Sequence, residues 1–265
     1  MSGDGGRAYT LSMLRPSSIP GLLVTGTDTG IGKTVIAGAI ADWFRRQGKR
    51  VAVCKPAGSG CVRRREGLVS EDAEFLAHCA DASHPLDLIC PIRYAEPLAP
   101  AIAAERAKEP LEWAAIDRAM AAMSNDSDVM IVEGVGGLMV PMDAEHTFLD
   151  VARWLTLPAV VVARPNLGTI NHTLLTVNAL RDANVNVAGV IINRYPAQAA
   201  DLAAETNPRA IEKWGKVPVL CIVPELATGL AERLHADVVA AVATVDWSRF
   251  VSCSPSSSRA TRETK

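Results

Sequence analysis

One stretch of the chain, residues 26–34, has the residue types and spacing of a phosphate-binding loop; its sequence is GTDTGIGKT. An apolar run, residues 22–24, precedes it, and a run compatible with a helix begins at Val35. Strand, glycine-rich turn, Gly-Lys-Thr and helix, in that order, are typical of such loops. We therefore expect backbone N–H groups to surround a phosphate, Lys33 to reach the β- and γ-phosphates, and the Thr34 hydroxyl to bind Mg²⁺.

The spacing inside this loop departs from the common motif. Four residues usually separate the first glycine from the Gly-Lys pair. Here five residues separate Gly26 from Gly32, and Thr27 stands where the first glycine is expected. The loop is therefore a variant, which narrows the families to which the chain could belong.

Polar side chains also end three other apolar segments: Lys55, Glu133 and Asn193. In parallel α/β sheets, ligands bind beyond the carboxyl ends of the strands. Glu133 is therefore the candidate for a second Mg²⁺ ligand, and Lys55 for a second cation near the phosphates. Asp72, in the first turn of a predicted helix, is a weaker candidate for the metal. Each of these residues has an alternative interpretation. Glu133 could be a solvated strand end, Lys55 an ordinary salt-bridging lysine, and Asp72 an acid that only stabilises the start of a helix.

These residues must be positioned by alternating strands and helices. We predict strands at 22–26, 51–55, 128–133, 159–163, 187–193 and 219–223, and a long loop at 56–69. Predicted helices cover 33–47, a segment opening at Ser70, a segment from 101, then 116–123, 148–155, 170–183 and 229–242. The alternation predicts one α/β domain over 20–245: a doubly wound, mostly parallel sheet with helices on both faces, like P-loop NTPases. Residues 1–19 and 246–265 are expected to be a disordered leader and tail.

Composition excludes several functional classes. The 265 residues are 49% hydrophobic with a net charge of −2, which supports a sizeable core and argues against nucleic-acid binding. No apolar run is long enough to span a membrane, and no secretory signal is evident. The six cysteines lack C-x-x-C spacing, so we expect a cytoplasmic protein. The five histidines show no metal-binding spacing and are interpreted as structural, with His172 the one possible exception.

Taken together, these motifs resemble the dethiobiotin synthetase family. The matching stretches lie in the family's order between about residues 20 and 236: VTGTDT at 24–29, GKT at 32–34, KPAGSG at 55–60, DA at 72–73, AEPLAP at 95–100, VEGVGG at 132–137, NLGTINH at 166–172, Asn193 and VPEL at 223–226. The variant loop spacing is also that of the family. The resemblance implies a homodimeric ligase that uses Mg²⁺ and ATP to close 7,8-diaminononanoate and CO₂ into dethiobiotin, in biotin synthesis.

The resemblance also implies roles for individual residues. Lys33 and Lys55, with Thr34, would act on the γ-phosphate and the carbamate, and Thr34, Asp72 and Glu133 would hold Mg²⁺. Ser59 would bind the substrate. The implied ATP-binding residues are Thr29, Gly30, Ile31, Gly32, Lys33, Thr34, Val35, Asp72, Glu133, Gly134, Val135, Gly136, Asn193, Arg194, Pro224, Glu225 and Leu226.

The carboxylate of the substrate needs a separate recognition site, because both lysines are committed to phosphate. The segment 166–172 begins a predicted helix, whose first N–H groups and positive dipole end suit an anion. By resemblance, this helix start comes from the neighbouring subunit. We therefore hypothesise a shared active site in which the N–H groups of Gly168, Thr169 and Ile170, together with Asn171, bind the substrate carboxylate. The alternative is that Thr169 is only an N-cap.

One position departs from some relatives, and three other classes fit less well. Gly30 stands where some members of the family carry Glu, so no side chain can act there. A positioning ATPase of the deviant-Walker class would need lysine at position 28, which is Asp28. A cobyrinate-type amidotransferase would need an additional glutaminase domain, and a nucleotide kinase an arginine-rich lid; neither is evident in the sequence.

Overall fold

The computed structural model describes residues 13–65, 67–196, 202–226 and 233–251. The strands are β1 Gly21–Gly26, β2 Val51–Cys54, β3 Ala57–Gly58, β4 Val62–Arg64, β5 Gly67–Val69, β6 Ile92–Arg93, β7 Val129–Glu133, β8 Ala159–Ala163, β9 Val187–Tyr195 and β10 Val219–Pro224. The helices are α1 Lys33–Arg46, α2 Glu71–Ala80, α3 Leu86–Ile89, α4 Pro100–Ala107, α5 Trp113–Ser124, α6 Phe148–Leu155, α7 Thr169–Asp182, α8 Leu202–Gly215 and α9 Ala236–Val242.

A six-stranded parallel sheet forms the centre of the molecule, in the order β10-β9-β8-β1-β7-β2. All residues of β1, β7 and β8 are buried, as expected for strands covered by helices on both faces. Helices surround this sheet: α1 packs against α2 and α9, and α7 packs against α6 and α8. The predicted α/β fold with a mostly parallel sheet is confirmed.

The segment predicted as one long loop, 56–69, contains short strands. β3 pairs with β6 in parallel, and β4 pairs with β5 as an antiparallel hairpin. All three residues of the hairpin's first strand are exposed, so the sequence shows no alternation of apolar and polar residues there. The three consecutive arginines at 63–65 are exposed. Arg64 makes an ion pair with Glu74.

Helix α8 lay in a stretch for which we predicted no element. It contains Pro208, which discourages a helix prediction because proline lacks a backbone N–H. Its buried positions, Ala204, Asn207, Ile211 and Gly215, recur at helical spacing, but only one of them is a large apolar residue. The predicted helix 229–242 is wrong at its start. Arg233–His235 are not helical and α9 begins at Ala236, while 227–232 lie outside the described residues.

Parts of the predicted leader and tail pack against the domain, which corrects the expectation of disorder for 13–19 and 246–251. Leu14 is buried in the core, and Arg15 makes an ion pair with Asp117 on α5. Trp247 lies in a short 3₁₀ helix, is fully buried, and donates a hydrogen bond from its indole N–H to the Val242 carbonyl at 2.9 Å. Residues 1–12 and 252–265 lie outside the described residues.

None of the helices in the described part of the chain is both long and apolar enough to cross a membrane.

Candidate active site

The phosphate loop follows β1 and leads directly into α1, as the sequence predicts. Gly30 and Gly32 both have left-handed backbone conformations, with φ of 69° and 91°, which glycine adopts without strain. A Cβ on Gly26 would lie 2.3 Å from Cδ1 of Ile31, so the loop folds closely over the end of its own strand. The side chain of Ile31 is therefore buried in the core.

Two contacts hold the loop around Asp28. The Asp28 carboxylate accepts a hydrogen bond from the N–H of Thr29 at 2.7 Å. The Asp28 carbonyl accepts one from the ammonium of Lys33 at 2.8 Å. Burial, together with the nearby Lys55 ammonium, lowers the pKa of Lys33 to about 8. The Lys33 ammonium therefore lacks a full complement of anionic partners, which a phosphate group would supply.

Asn193 joins the end of β9 to the loop. Its side-chain amide donates a hydrogen bond to the Ile31 carbonyl at 2.7 Å, and Asn193 is itself buried. A Cβ on Gly32 would lie 2.2 Å from this amide nitrogen. The predicted strand-end asparagine thus fixes the loop from its far side, and this contact is possible only because residue 32 is glycine.

Four predicted side chains meet beside the loop in one hydrogen-bonded cluster. The Lys55 ammonium lies 2.7 Å from Oε1 of Glu133 and 2.8 Å from Oδ2 of Asp72. The Thr34 hydroxyl lies 2.9 Å from the same Glu133 oxygen and 3.1 Å from Oδ1 of Asp72. Residues 34, 55, 72 and 133 come from α1, the end of β2, α2 and β7.

The charged side chains of this cluster shift one another's pKa values. Burial alone would lower the pKa of Lys55, but the Glu133 and Asp72 carboxylates raise it above its usual value. Burial raises the pKa of Glu133, although Lys55 opposes this effect. Asp72 also loses solvation, yet Lys55 and Thr34 hold the pKa of its carboxyl below the usual range. Lys55 is therefore a firmly charged ammonium between two acids.

Local structure fixes the positions of the side chains in this cluster. The Ser70 side chain caps α2 by accepting a hydrogen bond from the Ala73 N–H, as predicted, which places Asp72 in the first turn. The Lys55 N–H donates to the Ile89 carbonyl at 2.7 Å, so the strand end is held at its base. Gly134 packs against Phe148 so closely that a Cβ would lie 2.9 Å from its ring.

A cleft of about 510 Å³ lies over the loop and this cluster. Most of the predicted nucleotide and substrate residues line it: Thr29, Gly30, Gly32, Lys33, Thr34, Val35, Lys55, Ser59, Asp72, Glu133, Val135, Gly136, Asn193, Arg194, Pro224, Glu225 and Leu226. Ile31 and Gly134 do not. The Gly134 N–H is also occupied, because it donates to the Val24 carbonyl at 2.8 Å.

The predicted carboxylate-binding residues Gly168, Thr169 and Asn171 do not line this cleft. The N-cap of α7 is Gly168, in a left-handed conformation, so the alternative reading of Thr169 as the N-cap is wrong. Thr169 is buried, and its N–H donates to the Asn166 carbonyl at 3.2 Å. This N–H is therefore occupied, whereas we expected it to be free to bind the carboxylate. The first turn therefore offers the N–H groups of Ile170 and Asn171. His172, next in the chain, is exposed.

The sequence did not reveal every residue of the cleft. Ala57, Phe75, Arg233, Leu234, His235 and Val238 also line it. The last four precede or begin α9, about 200 residues after the phosphate loop, and no motif marks them. His235 caps this helix, since its Nδ1 accepts a hydrogen bond from the Asp237 N–H.

The donor set fits a hard divalent cation such as Mg²⁺. Thr34, Asp72 and Glu133 supply one hydroxyl and two carboxylates, the oxygen ligands that Mg²⁺ prefers. Oε2 of Glu133 is buried, and it has no hydrogen-bond partner in the part of the chain that the structure describes. An unpartnered buried carboxylate oxygen is costly, so a cation at this position would relieve it. No group of three or more His, Cys, Asp or Glu side chains among the described residues could hold a metal, and this site reaches three protein donors only with the Thr34 hydroxyl.

A phosphate loop on a parallel sheet, with an acid and a lysine ending the neighbouring strands, defines a P-loop nucleotide-binding protein. A family model described as an AAA domain matches residues 20–233. Curated relatives match as well, each named ATP-dependent dethiobiotin synthetase BioD. The protein from Thermodesulfovibrio yellowstonii is 38% identical over 213 residues, covering 78% of this chain and 89% of the relative. The protein from Anaeromyxobacter dehalogenans strain 2CP-1 is 42% identical over 204 residues, covering 73% and 90%.

A relative from Methanocaldococcus jannaschii with the same name is 39% identical, covering 76% of this chain and 92% of its own. The chain therefore belongs to the dethiobiotin synthetase family. Among solved structures, the septum site-determining protein MinD from Pyrococcus horikoshii OT3, complexed with Mg-ADP, covers 83% of this chain and 93% of its own. It is 15% identical with a TM-score of 0.48, a level at which the likeness carries no argument about activity.

Proposed function

We propose that this chain is an ATP-dependent ligase that closes 7,8-diaminononanoate and CO₂ into dethiobiotin. The observation that carries the proposal is the cluster of Lys55, Asp72, Glu133 and Thr34, which lies in one cleft with the phosphate-loop Lys33. Family membership supplies the reaction, and the cluster supplies groups that suit it. We expect the protein to work in the cytoplasm.

The reaction divides into three steps. One substrate amine adds to CO₂ and loses a proton, forming a carbamate. A carbamate oxygen then attacks the γ-phosphorus of ATP, and ADP leaves. The second amine attacks the carbonyl carbon of this mixed anhydride, phosphate leaves, and the ureido ring closes. Each step passes through concentrated negative charge, so positioning and charge neutralisation carry most of the catalysis.

The two lysines suit the phosphoryl-transfer step. Lys33 lies in the loop, and its only hydrogen bond given by the structure is to the Asp28 carbonyl, which a phosphate oxygen can replace. Lys55 is charged and buried, and Ser59 lines the same cleft. The carbamate would bind there, with the Ser59 hydroxyl as a hydrogen-bonding group. A fixed cation in a buried site stabilises developing charge more strongly than one in water.

Thr34, Asp72 and Glu133 would hold Mg²⁺, which neutralises phosphate charge as a Lewis acid when bound. The adenine would lie toward Asn193, Arg194 and residues 224–226. The Lys55 ammonium bridges the Asp72 and Glu133 carboxylates and holds them in place beside the proposed Mg²⁺ position.

A homodimer with shared active sites completes the proposal. Leu167, which precedes α7, and Leu175, within α7, expose 88% and 61% of their surface. Large apolar side chains exposed in this way suit an interface between subunits. Since the start of α7 does not line its own cleft, the substrate carboxylate would be bound by the N–H groups of Ile170 and Asn171 of a second subunit.

A direct assay tests the proposed activity. The purified chain is incubated with Mg·ATP, ¹³C-bicarbonate and 7,8-diaminononanoate, and the products are analysed by mass spectrometry. Dethiobiotin carrying one ¹³C in the ureido carbon, with one ADP released per ring, is the expected result. ATP hydrolysis that does not depend on the diamine and bicarbonate would instead favour a nucleotide-driven switch.

A further inference from the structure

Arg164 contacts the phosphate loop from outside the cleft. It follows β8 directly, and β8 lies beside β1 with Val162 opposite Gly26, so the two strands end side by side. Its guanidinium Nη2 lies 3.4 Å from Oδ2 of Asp28 and donates to the Thr29 carbonyl at 3.3 Å. We propose that Arg164 is a positioning residue that neutralises Asp28 and holds the Thr29 carbonyl, so that the loop accepts a triphosphate. This inference rests on the proposed nucleotide site.

The first part of the argument is electrostatic. Asp28 belongs to a loop that must receive several negative charges, and its carboxylate is 60% exposed. An unpaired acid there would repel the phosphates. Lys33 contacts the Asp28 carbonyl rather than its carboxylate. Among the described residues, Arg164 is the cation that the structure pairs with this carboxylate.

The second part is geometric. In a planar trans peptide the C=O and N–H point in opposite directions. The Thr29 carbonyl is directed toward Arg164, so the N–H of Gly30 in the same peptide points away from it. Thr29 and Gly30 line the cleft and Arg164 does not. The N–H of Thr29 is already bonded to the Asp28 side chain, which leaves the Gly30 N–H as the donor whose direction Arg164 controls.

The contact becomes more important when nucleotide binds. If Lys33 exchanges the Asp28 carbonyl for a phosphate oxygen, the loop loses one of the contacts that hold it. The Arg164 contacts do not involve Lys33, so this exchange does not remove them. Since the Arg164 and Asp28 side chains are 47% and 60% exposed, their ion pair adds little to folding, so a substitution should act on binding rather than on stability.

Binding of Mg²⁺ with a non-hydrolysable ATP analogue, measured by calorimetry, tests the inference. Arg164→Ala should weaken binding about tenfold with an unchanged melting temperature, the size expected for one uncompensated charge in a partly exposed site. Asp28→Asn removes the repulsive charge but keeps the acceptor for the Thr29 N–H. The double variant Asp28→Asn with Arg164→Ala should therefore recover most of the tenfold loss, leaving up to about threefold for the missing hold on the Thr29 carbonyl; if that hold were the whole effect, no affinity would return.

Arg153→Ala, which removes an exposed arginine in the last turn of α6, is the matched control and should bind like the native chain. Native-like binding by Arg164→Ala would overturn the inference while leaving the proposed function intact. The same conclusion follows if the double variant binds no better than Arg164→Ala. Failure of the native chain to bind the analogue would overturn the proposed function and this inference together.

Discussion

Lys55 makes two contributions that a single substitution would remove together. Its ammonium balances the buried Glu133 and the partly exposed Asp72, and in the proposed mechanism it also faces the carbamate. Lys33 differs, because its hydrogen bond is to the Asp28 backbone carbonyl, and no carboxylate among the described residues forms an ion pair with it. The two lysines of the site should therefore respond differently to truncation.

We predict that Lys55→Ala lowers turnover at least 10²–10³-fold and also lowers the free energy of unfolding by about 3–5 kcal/mol, because Glu133 is left buried without its cation. Lys33→Ala should lower turnover by a similar factor but change the free energy of unfolding by less than about 1 kcal/mol. Steady-state rates and urea unfolding curves measure both quantities.

The pair Lys55→Met with Glu133→Gln provides the control for the stability effect. Removing both charges should restore much of the stability lost in Lys55→Met alone, because no fully buried carboxylate is left without its cation; Asp72, the other partner of Lys55, is partly exposed. If the double variant is the less stable of the two, the ion pair is not the cause. Full activity in either single lysine variant would remove that lysine from the mechanism.

The proposed Mg²⁺ ligands Glu133 and Asp72 give a second prediction for single residues. Glu133→Gln and Asp72→Asn should each raise the Mg²⁺ concentration needed for half-maximal rate at fixed ATP, because a neutral amide is a weaker ligand than a carboxylate. Glu71→Gln, which changes an exposed acid in the same first turn of α2, should leave that midpoint unchanged. An unchanged midpoint in Glu133→Gln would mean that this acid is structural.

At the scale of elements, the phosphate loop depends on the end of β9. Gly30→Ala and Gly32→Ala both place a side chain in a left-handed conformation, at a cost of about 1–2 kcal/mol each. Only Gly32→Ala also drives a Cβ into the amide of Asn193, because the space around Gly30 is open. We therefore predict similar losses of stability from the left-handed strain, but a much larger loss of nucleotide affinity for Gly32→Ala. Equal affinities would show that the Asn193 contact does not shape the loop.

Helix α8 supports the start of α7 through one buried side chain. The amide of Asn207 donates to the carbonyls of Pro165 at 2.6 Å and Asn166 at 3.1 Å. Asn207→Ala would leave the buried Pro165 carbonyl unpaired, so we predict a loss of about 1–3 kcal/mol in unfolding free energy and a higher KM for the diamine. The KM for ATP should change less.

The neighbouring Thr206 provides the comparison for this substitution. Its hydroxyl bonds to the Leu202 carbonyl within α8 and is exposed, so Thr206→Ala should leave both KM values unchanged. If Asn207→Ala lowers stability without raising the KM for the diamine, the start of α7 takes no part in substrate binding.

At the scale of the whole molecule, the shared site predicts complementation between subunits. Lys33→Ala disables the phosphate loop, and Gly168→Val, at a φ of 94°, distorts the start of α7. Each variant alone should be inactive. A heterodimer of the two keeps one cleft with an intact loop and an intact partner helix, so about a quarter of native activity should return after subunit exchange. If exchange is demonstrated with labelled subunits and no activity returns, each site lies within one chain.

The sequence by itself determined the phosphate loop, the six strands of the central sheet, most of the helices between them, and the residues that end the strands. These features follow from local rules: buried parallel strands are continuous apolar runs, and a Gly-Lys-Thr turn needs only its own neighbours in the chain. The cap of α2 at Ser70 was predictable for the same reason. The family resemblance rested on these same short stretches.

Only the tertiary structure decided how distant groups meet. The sequence could nominate Lys55, Asp72 and Glu133, but not that the lysine would bridge both acids, because their contact depends on the packing of three elements. Two other contacts were equally hidden in the sequence. Arg164 and Asp28 are 136 positions apart, and Asn207 and Asn166, at the start of α7, are 41 positions apart. The burial of Leu14 and Trp247 was hidden by polar neighbours in the sequence. The chemistry of each side chain can be read from its position in the sequence. Charge pairing and burial are properties of the folded chain, since they depend on which surfaces exclude water together.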